Sequence, residues 1–373
     1  MTENLKYWLG FSMVPGIGPV RFGQLEKTFK TLEAAWQAET SDLRGAGLED
    51  GIVRNIVQTR AKIDLDNEWA KLDKFGIRLI NWHDSTYPAR LKQIHDKPAV
   101  LFINGKLEPE DELCVSVVGA RQPTIYGRQV AEEMSYTLAS AHITVVSGLA
   151  RGIDSIAHSA ALSAGGRTLA VVGSGLDNIY PSENTSLARR IAENGAVISE
   201  YPPGTRPRPE NFPRRNRILS GLCLGVLVVE AGESSGALIT AQLAVEHNRE
   251  VFAIPGSILS PGSAGTNKLI QDGAKLVRNV SDILEELNIT STTPHQMKLK
   301  AVLPETPAEA ALFKHLGAEP VHVDELCRVS GLPAGDVGAT LAMMELKGMV
   351  KQIGAMNFAL ARETPRRYTL SID

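Results

Sequence analysis

The sequence has few cysteines, and their spacing excludes the usual cysteine frameworks. The 373-residue chain contains three, each within an apolar run, and none is spaced as a C-x-x-C pair: Cys114, Cys223 and Cys327. Neither a disulfide framework nor a zinc site is therefore expected. The chain also lacks a run of 18 apolar residues, and its acidic N-terminal segment does not resemble a signal peptide. We expect a cytoplasmic protein without a membrane segment, a metal or a cofactor.

Positive charge is not in excess either. The formal net charge is -3, so any nucleic-acid site must be a local basic patch. Hydrophobic residues make up 43% and charged residues 22% of the chain, which are ordinary values for folded domains. A chain of this length is expected to form two or three domains.

Common catalytic motifs are missing as well. The sequence has no phosphate-binding G-x-x-x-x-G-K-[ST] loop, no H-E-x-x-H pair and no nucleophile elbow, and its eight histidines are scattered. The loop VGARQPTIYG also departs from the G-x-G-x-x-G pattern of dinucleotide-dependent dehydrogenases. We therefore expect no catalytic residues, and a protein that is not an enzyme.

The chain divides into three parts. Residues 1–83 predict a small helical domain, 84–288 an α/β domain and 303–361 a second small domain. Residues 289–302 are rich in Thr, Ser and Pro and predict a linker, and 362–373 a tail. The helices predicted in the first part are Lys6–Phe11, Val20–Phe29, Leu32–Ala38, Glu49–Val57 and Asp66–Phe75.

Strand and helix patterns alternate in the middle part. The strand patterns are apolar and rich in Val and Ile, which is typical of strands buried on both faces: Cys114–Val118, Ile143–Ser147, Leu169–Val172, Val197–Ser199, Leu224–Glu230 and Val251–Ile254. Between them lie helical patterns: Gly127–Ala139, Ser155–Ala164, Ser182–Glu193, Asn211–Ser220 and Ala237–His247. This alternation predicts an α/β fold with a Rossmann-like, doubly wound and mostly parallel sheet.

Glycine-rich loops follow four of these strands. They begin at Gly119, Ser147, Gly173 and Ala231. Glycine lets a backbone approach a ligand closely, and a helix that begins after such a loop favours an anion. Since ligands bind at the carboxyl ends of such strands, the four loops predict a phosphate-binding rim. Alternatively, the glycines only form tight turns.

Arginine is concentrated beside these loops. Between 112 and 288 the basic residues are Arg everywhere except Lys268 and Lys275, and five arginines fall within twelve residues: Arg206, Arg208, Arg214, Arg215 and Arg217. Guanidinium groups bind phosphates bidentately and stack on bases. Nearby aromatic residues suit a strand with unstacked bases: Tyr126, Tyr180, Tyr201 and Phe212. Some arginines could instead form structural ion pairs with Glu200, Glu210 or Glu230.

Seven sequence blocks follow one another through residues 112–278: GARQPTIYG, SGLARGIDSIAH, GSGLDNIYPSEN, SEYPPG, FPRRNRILSGL, EAGESSGALITAQLA and FAIPGSI. In this order they resemble the DprA/Smf family. The resemblance implies a dimeric mediator that binds single-stranded DNA without sequence specificity and helps to load the RecA recombinase during natural transformation.

The resemblance also implies a set of DNA-binding residues, with Arg121 as the leading phosphate contact: Gly119, Ala120, Arg121, Gly127, Ser147, Gly148, Gly152, Gly173, Ser174, Gly175, Asn184, Arg214, Arg215, Asn216, Arg217, Ser235, Gly236 and Thr240. For Asn216 and Arg217 a structural role remains an alternative. Some relatives carry a lysine near the third loop, where this chain has Ser182, Thr185 and Ser186. Either Arg189 and Arg190 take over that contact, or binding is weaker.

The flanking parts resemble further modules of that family. Residues 14–20, VPGIGPV, open a helix-hairpin-helix-like pattern in a segment similar to a sterile-alpha-motif domain. With equal numbers of acids and bases in 1–83, we interpret the pattern as a tight turn of a helical bundle. Residues 303–361 resemble a winged helix with more acids than bases, which favours a protein-interaction or regulatory module. The dimer interface implied by the resemblance lies around Leu269, Ile270 and Leu276, which could also be core residues.

One competing function is a nucleotide-binding or nucleotide-cleaving enzyme of the lysine-decarboxylase-like group. Its Rossmann core also has glycine loops, but it needs a PGG-x-GT-x-x-E loop with a catalytic glutamate. The matching segment here is EAGESSGALITA, in which Ala237 and Leu238 follow Gly236 and no glutamate stands at the required place.

Overall fold

The computed structural model describes residues 2–289, 306–317, 320–347, 349–353 and 356–360. They form two compact units, one within Met1–Ser291 and one within Thr292–Asp373. The predicted linker 289–302, apart from residue 289, and the predicted tail 362–373 lie outside the described residues. Within the described residues, no helix combines the length and the apolar character needed to cross a membrane.

Six short helices open the first unit: α1 (Thr2–Ser12), α2 (Pro19–Phe29), α3 (Leu32–Gln37), α4 (Thr40–Gly45), α5 (Asp50–Arg60) and α6 (Leu65–Lys74). The sequence pattern predicted five of them and missed α4. The helices share one core with the edge of the sheet that follows, since Trp8 and Phe22 belong to the same buried cluster as Leu79 and Phe102. The rings of Trp8 and Phe22 stack with their centroids 5.3 Å apart.

A nine-stranded sheet forms the centre of this unit. Its strands in chain order are β1 (Ile77–Asn81), β2 (Val100–Gly105), β3 (Cys114–Val118), β4 (Thr144–Ser147), β5 (Thr168–Val172), β6 (Gly195–Ser199), β7 (Gly225–Val228), β8 (Glu250–Ala253) and β9 (Lys275–Leu276). Their order across the sheet is β1-β2-β6-β5-β4-β3-β7-β8-β9. From β6 to β9 all neighbours pair in parallel, whereas β2 pairs antiparallel with both β1 and β6.

The predicted doubly wound sheet is therefore confirmed. Its six predicted strands are present, but β1, β2 and β9 were missed. β1 lies before residue 84 and yet pairs with β2, for example Leu79 with Phe102. The sheet thus begins earlier in the chain than the pattern indicated, and the domain boundaries stay predictions.

The short helix α7 (Ala89–Lys92) lies between β1 and β2, and a helix follows each parallel strand: α8 (Ile125–Ser140), α9 (Ile153–Ser163), α10 (Thr185–Asn194), α11 (Asn211–Leu222), α12 (Gly236–Glu246), α13 (Ala264–Gln271) and α14 (Val280–Glu286). Local capping explains two of the starts. The hydroxyl of Thr124 accepts the amide of Gly127 at 3.1 Å before α8, and Ser135 and Ala131 then face the core. At α12, the hydroxyl of Ser235 accepts the amide of Ala237 at 3.3 Å.

The side of the sheet on which successive strands are added changes at β3. Strands β4, β5 and β6 are added on one side of it, and β7 and β8 on the other. In open α/β sheets the crevice for ligands lies at such a switch point, beyond the carboxyl ends of the strands. The loops after β3 and β7 flank that crevice directly.

The described residues of the second unit form three helices and a small sheet: α15 (Pro307–Phe313), β10 (Val321–His322), α16 (Val323–Ser330), α17 (Ala334–Leu346), β11 (Val350–Gln352) and β12 (Asn357–Leu360). β12 lies between β10 and β11 and pairs antiparallel with both. Strands β11 and β12 form a hairpin that follows the helices. This is the winged-helix arrangement expected from the sequence.

The fold predicts that stability depends on pH through the protonation of His158 on α9. Its ring is fully buried with Nδ1 2.7 Å from the hydroxyl of Thr168. Burial lowers the pKa of His158 to about 3. The unfolded chain takes up this proton near pH 6.5, so stability should fall as pH drops from there toward 3, by up to about 1.4 kcal/mol per pH unit.

Urea unfolding of the wild type and of His158→Gln between pH 7 and 4 tests this. The loss of unfolding free energy with acid should be smaller in His158→Gln, because the glutamine has no proton to gain. His142→Gln, which changes an exposed histidine, should keep the slope of the wild type. Equal slopes in the wild type and His158→Gln would contradict the assignment.

Candidate nucleic-acid interface

The loops after β3, β4 and β7 are bonded to each other at the carboxyl edge of the sheet. The amide of Ala120 donates to the carbonyl of Glu230 at 2.8 Å, and the amide of Ile153 donates to the carbonyl of Ala120 at 3.1 Å. Gly152 has φ +78°, and a Cβ on it would collide with the backbone of Ala120 and Arg121. Glycine is therefore required there, and the loops after β3 and β4 are in close backbone contact.

Glu230 fixes the first loop from the end of β7. Its carboxylate is buried and accepts the amide of Thr124 at 3.1 Å as well as the hydroxyl of that residue. An ion pair between Glu230 and Arg217 was one interpretation of the sequence. The structure instead pairs Arg217 with Glu200 at 2.5 Å and with Asp96 at 3.3 Å. Glu230 is thus a loop anchor rather than an arginine partner.

The loop after β5 is tied to its neighbours by two amide side chains. Asn184 donates from Nδ2 to the carbonyl of Leu149 at 2.8 Å, and Asn211 donates from Nδ2 to the carbonyl of Gly173 at 3.0 Å. An exposed ion pair of Arg151 with Glu183, at 2.8 Å, spans the same gap. The third loop is therefore joined both to the second loop and to the start of α11.

An exposed cation and two aromatic rings lie side by side on this edge. The guanidinium carbon of Arg121 is 6.0 Å from the ring centroid of Phe212, and that centroid is 5.7 Å from the centroid of Tyr180. Arg121 is exposed, and Tyr180 keeps 44% of its surface open to solvent. On such an open surface a phosphate can contact the guanidinium and a base can stack on a ring.

Arg215 is buried beneath that surface. Its Nη1 donates to the carbonyl of Gly148 at 2.7 Å and to the carbonyl of Val171. Burial lowers the pKa of Arg215 to about 10, so the group stays charged at neutral pH. The likewise buried carboxylate of Asp154 accepts the amides of Gly148 at 3.1 Å and Ala150 at 3.3 Å. Burial raises the pKa of Asp154, against the lowering effect of Arg215.

The four predicted residues of α11 thus differ in their placement. Arg214 is exposed, Asn216 is half-buried and accepts Arg215 Nε at 3.2 Å, and Arg215 and Arg217 are buried at 4% and 9% exposure. The face of α11 that carries Ile218, Leu219 and Leu222 packs into the core. Arg215 lies on that face because it precedes Ile218 and Leu219 by three and four residues.

The remaining predicted residues fall into two groups. The partly or fully exposed ones are Gly119, Ala120, Gly152, Asn184, Ser235 and Gly236. The buried ones are Gly127, Ser147, Gly148, Gly173, Ser174, Gly175 and Thr240. Among these, the hydroxyl of Ser147 donates to the carbonyl of Val117 at 2.6 Å, and that of Ser174 to the carbonyl of Asn178 at 2.6 Å. Such side chains hold the loops in place, and their contact with DNA stays a prediction.

The structure also places the arginines suggested for the third-loop contact and the residues predicted for the dimer interface. Arg189 and Arg190 are both exposed on α10, which follows the third loop. For the predicted dimer interface, Leu269 and Ile270 are half-buried on α13, and Leu276 is 39% exposed on the edge strand β9. Sequence reasoning missed Asp96, which lies outside the recognised blocks and pairs with Arg217.

Within the described residues, one group of side chains has metal-ligand chemistry. His95, Asp96 and His247 bring one donor atom each to within 4.8 Å of the others. The guanidinium of Arg217 already supplies a cation to Asp96.

Comparisons with known proteins agree with this fold. Residues 78–288 match the family model described as DNA recombination-mediator protein A, and residues 298–355 match the DprA winged helix domain. Protein Smf of Synechocystis sp. is 35% identical over 94% of this chain and 98% of its own length. The chain belongs to the DNA recombination-mediator protein A family.

Two solved structures are also similar. The X-ray structure of DNA processing protein A from Streptococcus pneumoniae is 37% identical, with 75% of this chain and 97% of that chain covered and a TM-score of 0.66. A structure of DNA processing protein A from Helicobacter pylori, described for its single-stranded DNA binding mode, is 30% identical with a TM-score of 0.52. It covers 57% of this chain and 96% of its own.

The site predicts that two adjacent arginines contribute very differently to stability. Arg215→Ala should lower the free energy of unfolding by about 3–5 kcal/mol, because Asp154 and the carbonyls of Gly148 and Val171 lose their buried partner. Arg214→Ala, one residue earlier and exposed, should change it by no more than about 0.5 kcal/mol. Urea unfolding followed by tryptophan fluorescence measures both. If the two variants are equally stable, Arg215 does not hold the loops.

Proposed function

We propose that this protein binds single-stranded DNA without sequence specificity at the carboxyl edge of its sheet. The observation that carries the proposal is the exposed guanidinium of Arg121 beside the ring of Phe212 and the exposed ring of Tyr180. A guanidinium attracts phosphates, and open aromatic faces stack with unpaired bases. A duplex offers no free base faces, so this combination favours a single strand.

The family and one structural relative support the same ligand. The Helicobacter pylori protein is described as binding single-stranded DNA, and its chain is covered almost completely by this one. Lack of sequence specificity follows from the groups involved. Backbone amides, a guanidinium and ring faces recognise phosphates and stacked bases rather than base edges.

We propose a binding role rather than catalysis. The carboxylates of Asp154 and Glu230 are buried and accept backbone amides, so they are committed to holding loops. On α12, where the lysine-decarboxylase-like alternative requires a glutamate near the start, the first acidic residue is Glu246 at the end of the helix.

Arg121→Ala tests the binding site. Titrated into a labelled oligo-dT and followed by fluorescence anisotropy, this variant should bind about 1–3 kcal/mol more weakly than the wild type. The slope of log K against log salt should become shallower by about 0.7, the contribution of one phosphate contact on a single strand. The wild type should bind a matched duplex more weakly than it binds oligo-dT.

Arg78→Ala is the control, since Arg78 is an exposed arginine on β1 outside the loop edge. It should bind like the wild type. No binding of either nucleic acid by the wild type, or equal binding by Arg121→Ala and the wild type, would contradict the proposal. The edge would then serve another ligand, and nucleotides would be the next to test.

We further propose that the protein acts as a homodimer and delivers the DNA to the RecA recombinase in natural transformation. The recombination-mediator description of the family supports the transfer step. Activity beside RecA would place the protein in the cytoplasm. Pull-down of RecA by the purified protein, with and without oligo-dT, tests the partnership, and no capture in either condition would argue against it.

For the dimer, apolar exposure near the edge strand β9 supports a surface around Leu269, Ile270 and Leu276. Leu276 is 39% exposed, and the loop before α13 exposes Ile258 by 91% and Leu259 by 88%. An exposed apolar group of this kind often marks a protein interface. Among the described strands β9 is the last of the sheet, so its outer edge offers backbone groups for pairing.

Sedimentation velocity of Leu276→Glu tests this surface. The variant should be monomeric at concentrations at which the wild type is a dimer, because a carboxylate would be buried without a partner. Leu113→Glu is the matched control, since Leu113 is 43% exposed and lies just before β3. A monomeric wild type, or a dimeric Leu276→Glu, would show that the interface lies elsewhere or is absent.

A further inference from the structure

A groove of about 930 Å³ opens within the first unit between two segments that are distant in sequence. One wall is the turn from residue 12 to 21, before and into α2, and the other is the segment from 201 to 214, after β6 and into α11. Four arginines and no acidic residue line it: Arg21, Arg206, Arg208 and Arg214. In a chain with a net charge of -3, this groove is a local concentration of positive charge.

The first wall is the turn that the sequence pattern likened to a helix-hairpin-helix. Gly16 has φ +88°, and its carbonyl accepts Arg21 Nη1 at 2.7 Å. Asn55 donates from Nδ2 to the carbonyl of Pro15 at 2.9 Å. Two side chains thus hold the turn in shape. Val20 beside it is 78% exposed, so the wall presents small and apolar groups to the groove.

The second wall is fixed to the loop after β5. The amide of Gly204 donates to Asp177 at 2.9 Å, and the amide of Gly175 donates to the carbonyl of Thr205 at 2.9 Å. Arg206 and Arg208 follow directly and are exposed. Arg208 approaches Glu210 only to 4.0 Å, at the limit of an ion pair. For Arg206, the described part of the chain contains no ion-pair partner.

The groove is continuous with the loop edge through the start of α11. Asn211 lines the groove and also donates to the carbonyl of Gly173 at the edge. Arg214 lines the groove two residues after Phe212, whose ring faces Arg121. A strand that leaves the ring of Phe212 therefore has Arg214 and the groove beside it at the start of α11.

We propose that a single strand bound at the loop edge continues into this groove, with its phosphates at Arg206 and Arg208. The inference rests on the proposed function, and it adds a second contact segment that includes the N-terminal helical part. It also gives the glycine-rich turn a role as one wall of the DNA path. Isolated arginines at a surface attract a polyanion most strongly where no carboxylate competes.

The test compares oligo-dT of increasing length by fluorescence anisotropy, using the full chain. For the shortest oligonucleotides that the wild type binds, the double variant Arg206→Ala/Arg208→Ala should have the same affinity as the wild type. Its affinity should then rise less with length and be several-fold weaker for long oligonucleotides. Its salt slope on those should be shallower by about 1.4, which corresponds to two phosphate contacts on a single strand.

The matched control is Lys62→Ala/Arg78→Ala, which removes the same charge from two exposed residues outside the groove and the loop edge. It should follow the wild type at every length. If the groove variant and this control bind alike while Arg121→Ala is weakened, the groove is not part of the path, and the binding function stands. If the wild type binds no oligonucleotide, both proposals fail together.

Discussion

The loop edge depends on one buried cation, the guanidinium of Arg215. It joins the carbonyl of Gly148, at the end of β4, to that of Val171 in β5, beside the buried carboxylate of Asp154. Burial of a charge is costly and is tolerated only where its hydrogen bonds are satisfied. The lowered pKa of Arg215 expresses this cost. Because two strand ends are held by one side chain, neither loop can move independently of α11, which carries the half-buried Phe212 and the exposed Arg214.

The arginines of this chain therefore divide into two groups. Arg215 and Arg217 are inside and are balanced by Asp154, Glu200 and Asp96. Others, such as Arg121 and Arg214, face solvent on the same edge. A net charge of -3 is compatible with nucleic-acid binding in such a molecule. Internal carboxylates neutralise the internal arginines, while Arg121 and Arg214 have no ion-pair partner among the described residues and can attract a phosphate.

Most of the sheet could be predicted from the sequence because strands buried on both faces form apolar runs, as in Cys114–Val118 and Thr168–Val172. β1 and β2 were missed, since they pair antiparallel at the edge and interrupt the alternating pattern. To predict the roles of the α11 arginines from the sequence, the helical periodicity of that segment had to be used. Ile218, Leu219 and Leu222 mark the inner face and would have placed Arg215 there. No local pattern could have revealed Asp96 or the groove, because both depend on segments far apart in sequence.

The most direct test of the account is amide hydrogen exchange of the full chain with and without oligo-dT. If a rigid loop edge binds the strand, the DNA should slow exchange in residues 119–126, 174–184 and 211–216, next to loops whose buried bonds are already formed. Exchange in the second unit should not change. Slowing confined to residues 306–360, or at the edge strand β9, would contradict the account and place the DNA site elsewhere.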